Sequence, residues 1–154
     1  MSPKTLVFVC TGNFYRSRFC EHWFNAQAEA RALDWRATSR GLRIWMADGY
    51  GPIACHTVER LAERGIRLDG NLRFPISLSE SDLEQASLVV ALKEAEHRPM
   101  MLDQFPAWAD RIEYWHVDDI DCATADEALP QCETNVLALV ERLANSVPEA
   151  SARR

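Results

Sequence analysis

Short, almost continuous apolar runs along this chain are separated by longer stretches in which apolar residues recur every three or four positions. Leu6 to Val9 is the first such run, and its length and β-branching predict a buried strand. Phe19, Cys20, Trp23 and Phe24 follow at helical spacing. They predict a helix from Ser17 to about Leu33, capped by Ser17 and enriched in the strong helix formers Ala26, Ala28, Ala30 and Ala32. Trp35 to Ser39 reads as a second strand. Arg40 to Pro52 holds Gly41, Gly49 and Gly51 with little periodicity, so a long loop is expected there. Pro52 to Arg64 reads as a helix with Cys55, Val58, Leu61 and Ala62 on one face, ended by Gly65. Ile66 to Arg73 is a connector. Ser79-Glu80-Ser81-Asp82 opens a short helix capped by Ser79 or Ser81. Ser87 to Leu92 reads as a third, buried strand and Lys93 to Leu102 as a helix with His97 on its surface. Arg111 to His116 is the last strand. Ala125 to Asn145 is the last helix, with Pro130 in its first part and an apolar stripe of Val136, Leu139, Val140 and Leu143. Val147 to Arg154 is read as a frayed tail.

Strands alternating with helices imply an α/β fold. The expected architecture is three-layered and doubly wound: a four-stranded parallel sheet with helices on both faces, in the flavodoxin-like order 2-1-3-4. Ligands in such folds bind beyond the carboxyl ends of the strands, near the switch point in strand order. That rule directs attention to the end of the first strand.

The residues there are Cys10-Thr11-Gly12-Asn13-Phe14-Tyr15-Arg16-Ser17. They form a strand–loop–helix turn with a cysteine at the strand's end and an arginine at the helix's start. Backbone N–H groups of such a loop can converge, and the helix N-terminus adds positive partial charge. Both features suit a tetrahedral oxyanion, and the same field favours the thiolate form of Cys10. Arg16 can clamp two oxygens of a phosphoryl group through its planar fork. A nucleophilic sulfur beneath a bound phosphate is the machinery of a covalent phosphatase.

Cys-x5-Arg-Ser after a strand resembles the signature loop of cysteine-based protein tyrosine phosphatases. The longer run Val7-Phe8-Val9-Cys10-Thr11-Gly12-Asn13, then Arg16-Ser17 and Glu21, at the N-terminus, resembles their low-molecular-weight class. The resemblance implies a single phosphatase domain over residues 1–147 with a tail at 148–154. It implies a phosphomonoesterase in which Cys10 attacks phosphorus and becomes a phosphocysteine. Thr11 to Ser17 would bind the phosphate. Ser17 would donate to the Cys10 sulfur, and Asn13 and Ser39 would brace the loop. Trp45 would form an aromatic wall beside the cleft. The general acid falls in Val117-Asp118-Asp119-Ile120-Asp121-Cys122, where the family carries Asp-Pro followed by aromatic residues. Aligned from Val117, the resemblance implies Asp119 as the acid, with Asp118 the open alternative; Ile120 would replace the proline, and Asp121 an aromatic residue of the opposite wall. Glu21, in the early turns of the first helix, reads as a partner of the helix dipole rather than a catalytic group. Tyr15 stands where many relatives have a second cysteine, and Arg18 where a proline is usual. Arg18 is expected to add positive charge at the rim. Whether Phe14 and Tyr15 line the pocket or pack inward stays open.

Composition narrows the alternatives. The 154 residues carry a net charge of −6, which disfavours a general nucleic-acid or membrane-surface role. No stretch is long enough to span a bilayer, and no signal peptide is read at the N-terminus. Cys10, Cys20, Cys55, Cys122 and Cys132 are scattered without a paired metal-ligand spacing, so neither a metal nor a cofactor is expected. A reducing, cytoplasmic setting follows, with a phosphorylated protein or small aryl phosphate as substrate and phosphate-like oxyanions as loop ligands. A monomer or weak dimer is expected. A thiol-linked arsenate reductase shares the fold and loop, but needs two further cysteines after the third-strand region, and Ser79 to Leu102 has none. The remaining alternative is a phosphate- or phosphoprotein-binding module whose catalysis has decayed, suggested by the altered Asp119-Ile120-Asp121 loop.

Overall fold

In the computed structural model, which describes residues 3–68, 72–118 and 125–152, strand β1 (Lys4–Cys10) forms over the first apolar run. Its residues alternate between two cores: Leu6, Phe8 and Cys10 face one, Val7 and Val9 the other, and all five are buried. A strand covered on both sides has no solvent face to mark with polar residues, which is why the run reads as continuous. β1 pairs in parallel with β2 (Trp35–Gly41) on one side and β3 (Leu88–Ala91) on the other. β3 pairs in parallel with β4 (Glu113–Tyr114), so the order is β2-β1-β3-β4, as expected.

Helices cover both faces. On the Phe8 side lie α1 (Arg16–Ala30), α2 (Cys55–Glu63) and α5 (Ala125–Ala152), meeting through Phe19, Phe24, Leu61, Leu129, Val136 and Val140. Phe8 is the hub there, with the Phe24 ring centroid 6.2 Å and the Trp115 centroid 5.6 Å away. On the Val9 side, α3 (Glu80–Gln85) and α4 (Glu94–Gln104) contribute Leu83 and Met101 to a smaller core with Leu78 and Ala109. Each fully buried large apolar side chain contributes about 1.5–3 kcal/mol.

Several boundaries differ from the sequence reading. β2 continues to Gly41, and Ile44–Ala47 forms a 3₁₀ turn inside the segment read as a loop. α1 starts at Arg16, with Tyr15 in the capping position and no side-chain cap. Ser17 therefore does not cap it; its hydroxyl is engaged by Cys10 and Asn13 instead. Between the two serines proposed for α3, Ser79 is the cap. Its hydroxyl accepts from the Asp82 N–H at 3.2 Å while the Asp82 carboxylate accepts from the Ser79 N–H at 3.0 Å, a reciprocal pair. α5 runs to Ala152, past Asn145 and through positions expected to fray, where Ala150 and Ala152 favour helix.

Gly41 shows why β2 must end as it does. It lies opposite Cys10 in the β1–β2 register. A Cβ there would stand 2.9 Å from the Thr11 carbonyl oxygen, 2.9 Å from Asn13 Cβ and 2.7 Å from Ile44 Cγ2. Only glycine lets the 10–15 loop seat against the sheet edge. Gly41→Ala should cost about 1–3 kcal/mol, the usual range for overpacking, measured by urea unfolding. Because the clash is with the loop itself, phosphate affinity should fall in the same variant.

Candidate functional site

β1 delivers Cys10 to the carboxyl edge of the sheet, and α1 begins at Arg16. The carbonyls of the intervening loop are tied outward. Cys10 O accepts from Leu42 N at 3.0 Å, Thr11 O from Arg43 N at 2.8 Å and Phe14 O from Ala54 N at 2.9 Å. Asn13 O accepts from Arg18 Nη1 at 3.3 Å, and Tyr15 O from Phe19 N and Thr57 Oγ1, both at 3.1 Å. In a trans peptide the next N–H points opposite to the carbonyl. The N–H groups of Thr11, Gly12, Phe14, Tyr15 and Arg16 therefore point away from that scaffold, forming a concave array of donors suited to an anion.

Asn13 holds the loop's shape. Its φ is +50°, a left-handed conformation that Asn tolerates better than most residues. The side chain is wholly buried and makes four hydrogen bonds: Nδ2 donates to Ser17 Oγ and Ser39 Oγ, both at 2.9 Å, and Oδ1 accepts from Arg73 Nη1 and Ile76 N, both at 3.0 Å. The order of donors then follows. Ser39 Oγ donates to Glu21 Oε1 at 2.6 Å. Ser17 Oγ, already accepting from Asn13, lies 2.9 Å from Cys10 Sγ and can direct its proton at the sulfur.

Arg16 is 1% exposed. Nη1 donates to Glu96 Oε1 at 3.2 Å and to the Val117 carbonyl at 3.0 Å, and Nη2 donates to Glu96 Oε2 at 2.9 Å. The Thr11 hydroxyl also donates to Glu96 Oε2 and lies 3.1 Å from His97 Nε2. His97 is not on the surface: it is wholly buried, and Nδ1 accepts the Lys93 N–H at 3.0 Å. That bond places the imidazole proton on Nε2, facing Thr11 and Glu96.

Arg18 is also not at the rim. It is wholly buried, donating to Asn13 O, to Pro52 O at 2.9 Å and to Arg73 O at 2.8 Å, so it joins the loop to two neighbouring segments. Burial first, then the nearby Arg73, push its pKa down to about 10, which leaves it charged at neutral pH. Glu21 serves the same frame, accepting from Arg73 Nη2 at 3.1 Å as well as from Ser39.

The cleft above Cys10 measures about 570 Å³. Phe14 and Tyr15, left open by the sequence, both line it, as do Met46, Tyr50, Ile53 and His56. The Phe14 and Tyr50 ring centroids are 6.3 Å apart. Trp45 is not among the lining residues and is 61% exposed; Met46 and Tyr50 occupy the wall from the same segment. Cys20 is buried in the core, and burial, reinforced by the Cys132 side chain, pushes its thiol well up, away from reactivity. Asp118 pairs with Lys93 Nζ at 2.7 Å, whereas Asp119 and Asp121 lie outside the described residues. Among the described residues, no group of His, Cys, Asp or Glu side chains could hold a metal ion.

Cys10, Asn13, Arg16, Ser17 and Ser39 thus lie together around the loop. Glu96, His97 and Arg73 were missed. The first two stand just beyond β3, at the edge of the sheet where ligands bind, and that position was their only signal. No pattern marks Arg73. Asn13→Ala should remove about 2 kcal/mol or more, since it leaves buried partners unsatisfied. Urea unfolding checks this, and Ser39→Ala should cost less.

A family model described as low molecular weight phosphotyrosine protein phosphatase matches residues 5–149. A protein-arginine-phosphatase of Bacillus subtilis is 34% identical over 107 residues, covering 70% of this chain and 67% of that protein. Arsenate reductase 1 of Staphylococcus haemolyticus is 32% identical over 123 residues, covering 77% of this chain and 79% of that one. Among solved structures, a low molecular weight protein tyrosine phosphatase from T. tengcongensis is 29% identical, with a TM-score of 0.72 over 93% of this chain and 99% of that chain. An arginine phosphatase mutant with a phosphorylated active-site serine is 26% identical, with a TM-score of 0.76 over 91% and 95%.

Proposed function

This chain belongs to the low molecular weight phosphotyrosine protein phosphatase family, and on that premise we propose that it hydrolyses phosphomonoesters through a phosphocysteine on Cys10. The observation that carries this reading is the 2.9 Å contact between Cys10 Sγ and Ser17 Oγ, at a loop whose Cys10, Thr11, Asn13, Phe14 and Tyr15 carbonyls are tied outward, and beside a buried Arg16. The Cys10 sulfur attacks phosphorus in line with the leaving oxygen. As the S–P bond forms, the P–O bond breaks, and the leaving oxygen takes a proton from Asp119. Arg16 and the loop N–H groups hold the equatorial oxygens, a preorganised field of the kind that usually dominates catalysis. Water, deprotonated by Asp119, then attacks phosphorus and releases phosphate. Cys10 departs as a thiolate stabilised by the Ser17 hydroxyl.

Asp119 is assigned the acid from the sequence. In support, the neighbouring Asp118 is already paired with Lys93. The substrate is a phosphorylated protein or small aryl phosphate, whose ring would lie between Phe14, Met46 and Tyr50. Asp121 remains assigned to the facing wall, whereas Met46 and Tyr50 take the wall position expected of Trp45. We take the protein to be a cytoplasmic monomer or weak dimer acting without a cofactor. Arsenate reduction is disfavoured because Cys20 and Cys132 are buried in the core and Ser79 to Leu102 contains no cysteine.

p-Nitrophenyl phosphate should be turned over, and a rapid acid quench should trap phosphate on Cys10. Cys10→Ser should lose turnover yet keep oxyanion binding; retained activity would sink the covalent mechanism. Asp119→Asn should slow poor leaving groups, such as alkyl phosphates, by about 100- to 10,000-fold, and p-nitrophenyl phosphate far less. A plot of log kcat against leaving-group pKa for Asp118→Asn, Asp119→Asn and Asp121→Asn checks the assignment, and only the second should steepen.

A further inference from the structure

Glu96 belongs to no motif of the phosphate loop, yet its carboxylate grips the loop's one arginine by both terminal nitrogens. It stands in the first turn of α4, directly after the strand beside β1. Its side chain is 24% exposed. The Thr11 hydroxyl and His97 Nε2, at 3.2 Å, converge on the same oxygen that Arg16 Nη2 contacts. Burial alone would raise the Glu96 pKa, but hydrogen bonds from His97, Arg16 and Thr11 hold it well below the usual carboxylate range, so the group is an anion at neutral pH. Two ends of the loop, Thr11 and Arg16, are thereby fastened to one carboxylate.

We propose that Glu96, oriented by His97 and Thr11, is a positioning residue for the phosphatase reaction: it fixes the plane of the Arg16 guanidinium and offsets its charge. This rests on the phosphomonoesterase reading above. The two effects act in opposite directions on binding and on rate. Fixing the guanidinium plane matters most when the three equatorial oxygens spread in the transition state, and a displacement of about 1 Å can cost about 100-fold in rate. Offsetting the charge weakens the hold on a ground-state dianion, including the product phosphate. Interactions stronger in the transition state than in the ground state raise kcat. A carboxylate that aligns the arginine while weakening its grip on phosphate works in that sense.

The test is Glu96→Gln, which keeps the side chain's size but removes the charge and one acceptor. With p-nitrophenyl phosphate, kcat should fall about 10- to 100-fold. The inhibition constant of inorganic phosphate should stay the same or tighten. Unchanged kcat overturns the proposal. So does a parallel loss of kcat and phosphate affinity, which would make Glu96 a support of the loop and nothing more. If the variant does not fold, NMR of the wild type decides: a locked Arg16 should show separate Nη resonances in slow exchange, and a single averaged signal overturns the proposal. Wild-type protein that turns over no aryl phosphate would instead overturn the parent reading, so the two failures are distinguishable.

Discussion

The side-chain amide of Asn13 uses both its hydrogens and both its acceptor directions inside the protein, and in doing so ties its own loop to three other segments. It reaches the helix start through Ser17, β2 through Ser39 and the strand-like stretch before α3 through Arg73 and Ile76. The left-handed backbone at Asn13 reverses the loop, and the amide keeps it reversed. Every outward carbonyl and every inward N–H depends on that reversal. The aim of the Ser17 hydroxyl depends on it too, because an oxygen already accepting from Asn13 has its proton left for the sulfur.

A second constraint is electrostatic. Arg16 and Arg18 are buried within one turn of each other, in a place that must also receive an anion. Each is stabilised differently. Arg16 has a full counter-charge in Glu96, with a carbonyl beside it. Among the described residues, Arg18 has only carbonyl oxygens at hydrogen-bond distance, and its lowered pKa records the cost. Those carbonyls belong to Asn13, Pro52 and Arg73, so the charge joins three loops. Buried charges are costly unless paired or well hydrogen-bonded, and here both solutions occur side by side. A proline at position 18 could make none of these bonds.

The fold was legible because its signals are local. A strand between two helical layers is apolar throughout, and Leu6 to Val9 and Ser87 to Leu92 say so without reference to anything distant. The stripe of Val136, Leu139 and Val140 marks the face that α5 buries, and Ser79 with Asp82 marks the start of α3. Boundaries failed where a long-range contact competes with local preference. Ser17 is a good cap by type, but Cys10 and Asn13 claim its hydroxyl first. Trp45 stands in the right segment, yet the 3₁₀ turn at Ile44–Ala47 carries Met46 to the cleft wall and leaves Trp45 to solvent.

What the sequence by itself determined is the parallel α/β architecture and the loop chemistry: a cysteine at a strand's end, an arginine at a helix's start, and the residue types between them. These are contiguous, and their spacing along one turn leaves little freedom in how they meet. Only the tertiary structure decided what surrounds that loop. Glu96 and His97 lie some eighty positions from Thr11 and Arg16, and Arg73 sixty from Asn13. Their roles required β3 to lie next to β1, so that the turn after one strand meets the turn after the other. A histidine on a polar helix reads as exposed until that neighbouring turn covers it. An arginine beside the phosphate loop reads as a rim charge until three carbonyls close around it. Neither burial is encoded in local periodicity, because each depends on which distant backbone oxygens and side chains the packed sheet brings within hydrogen-bond reach.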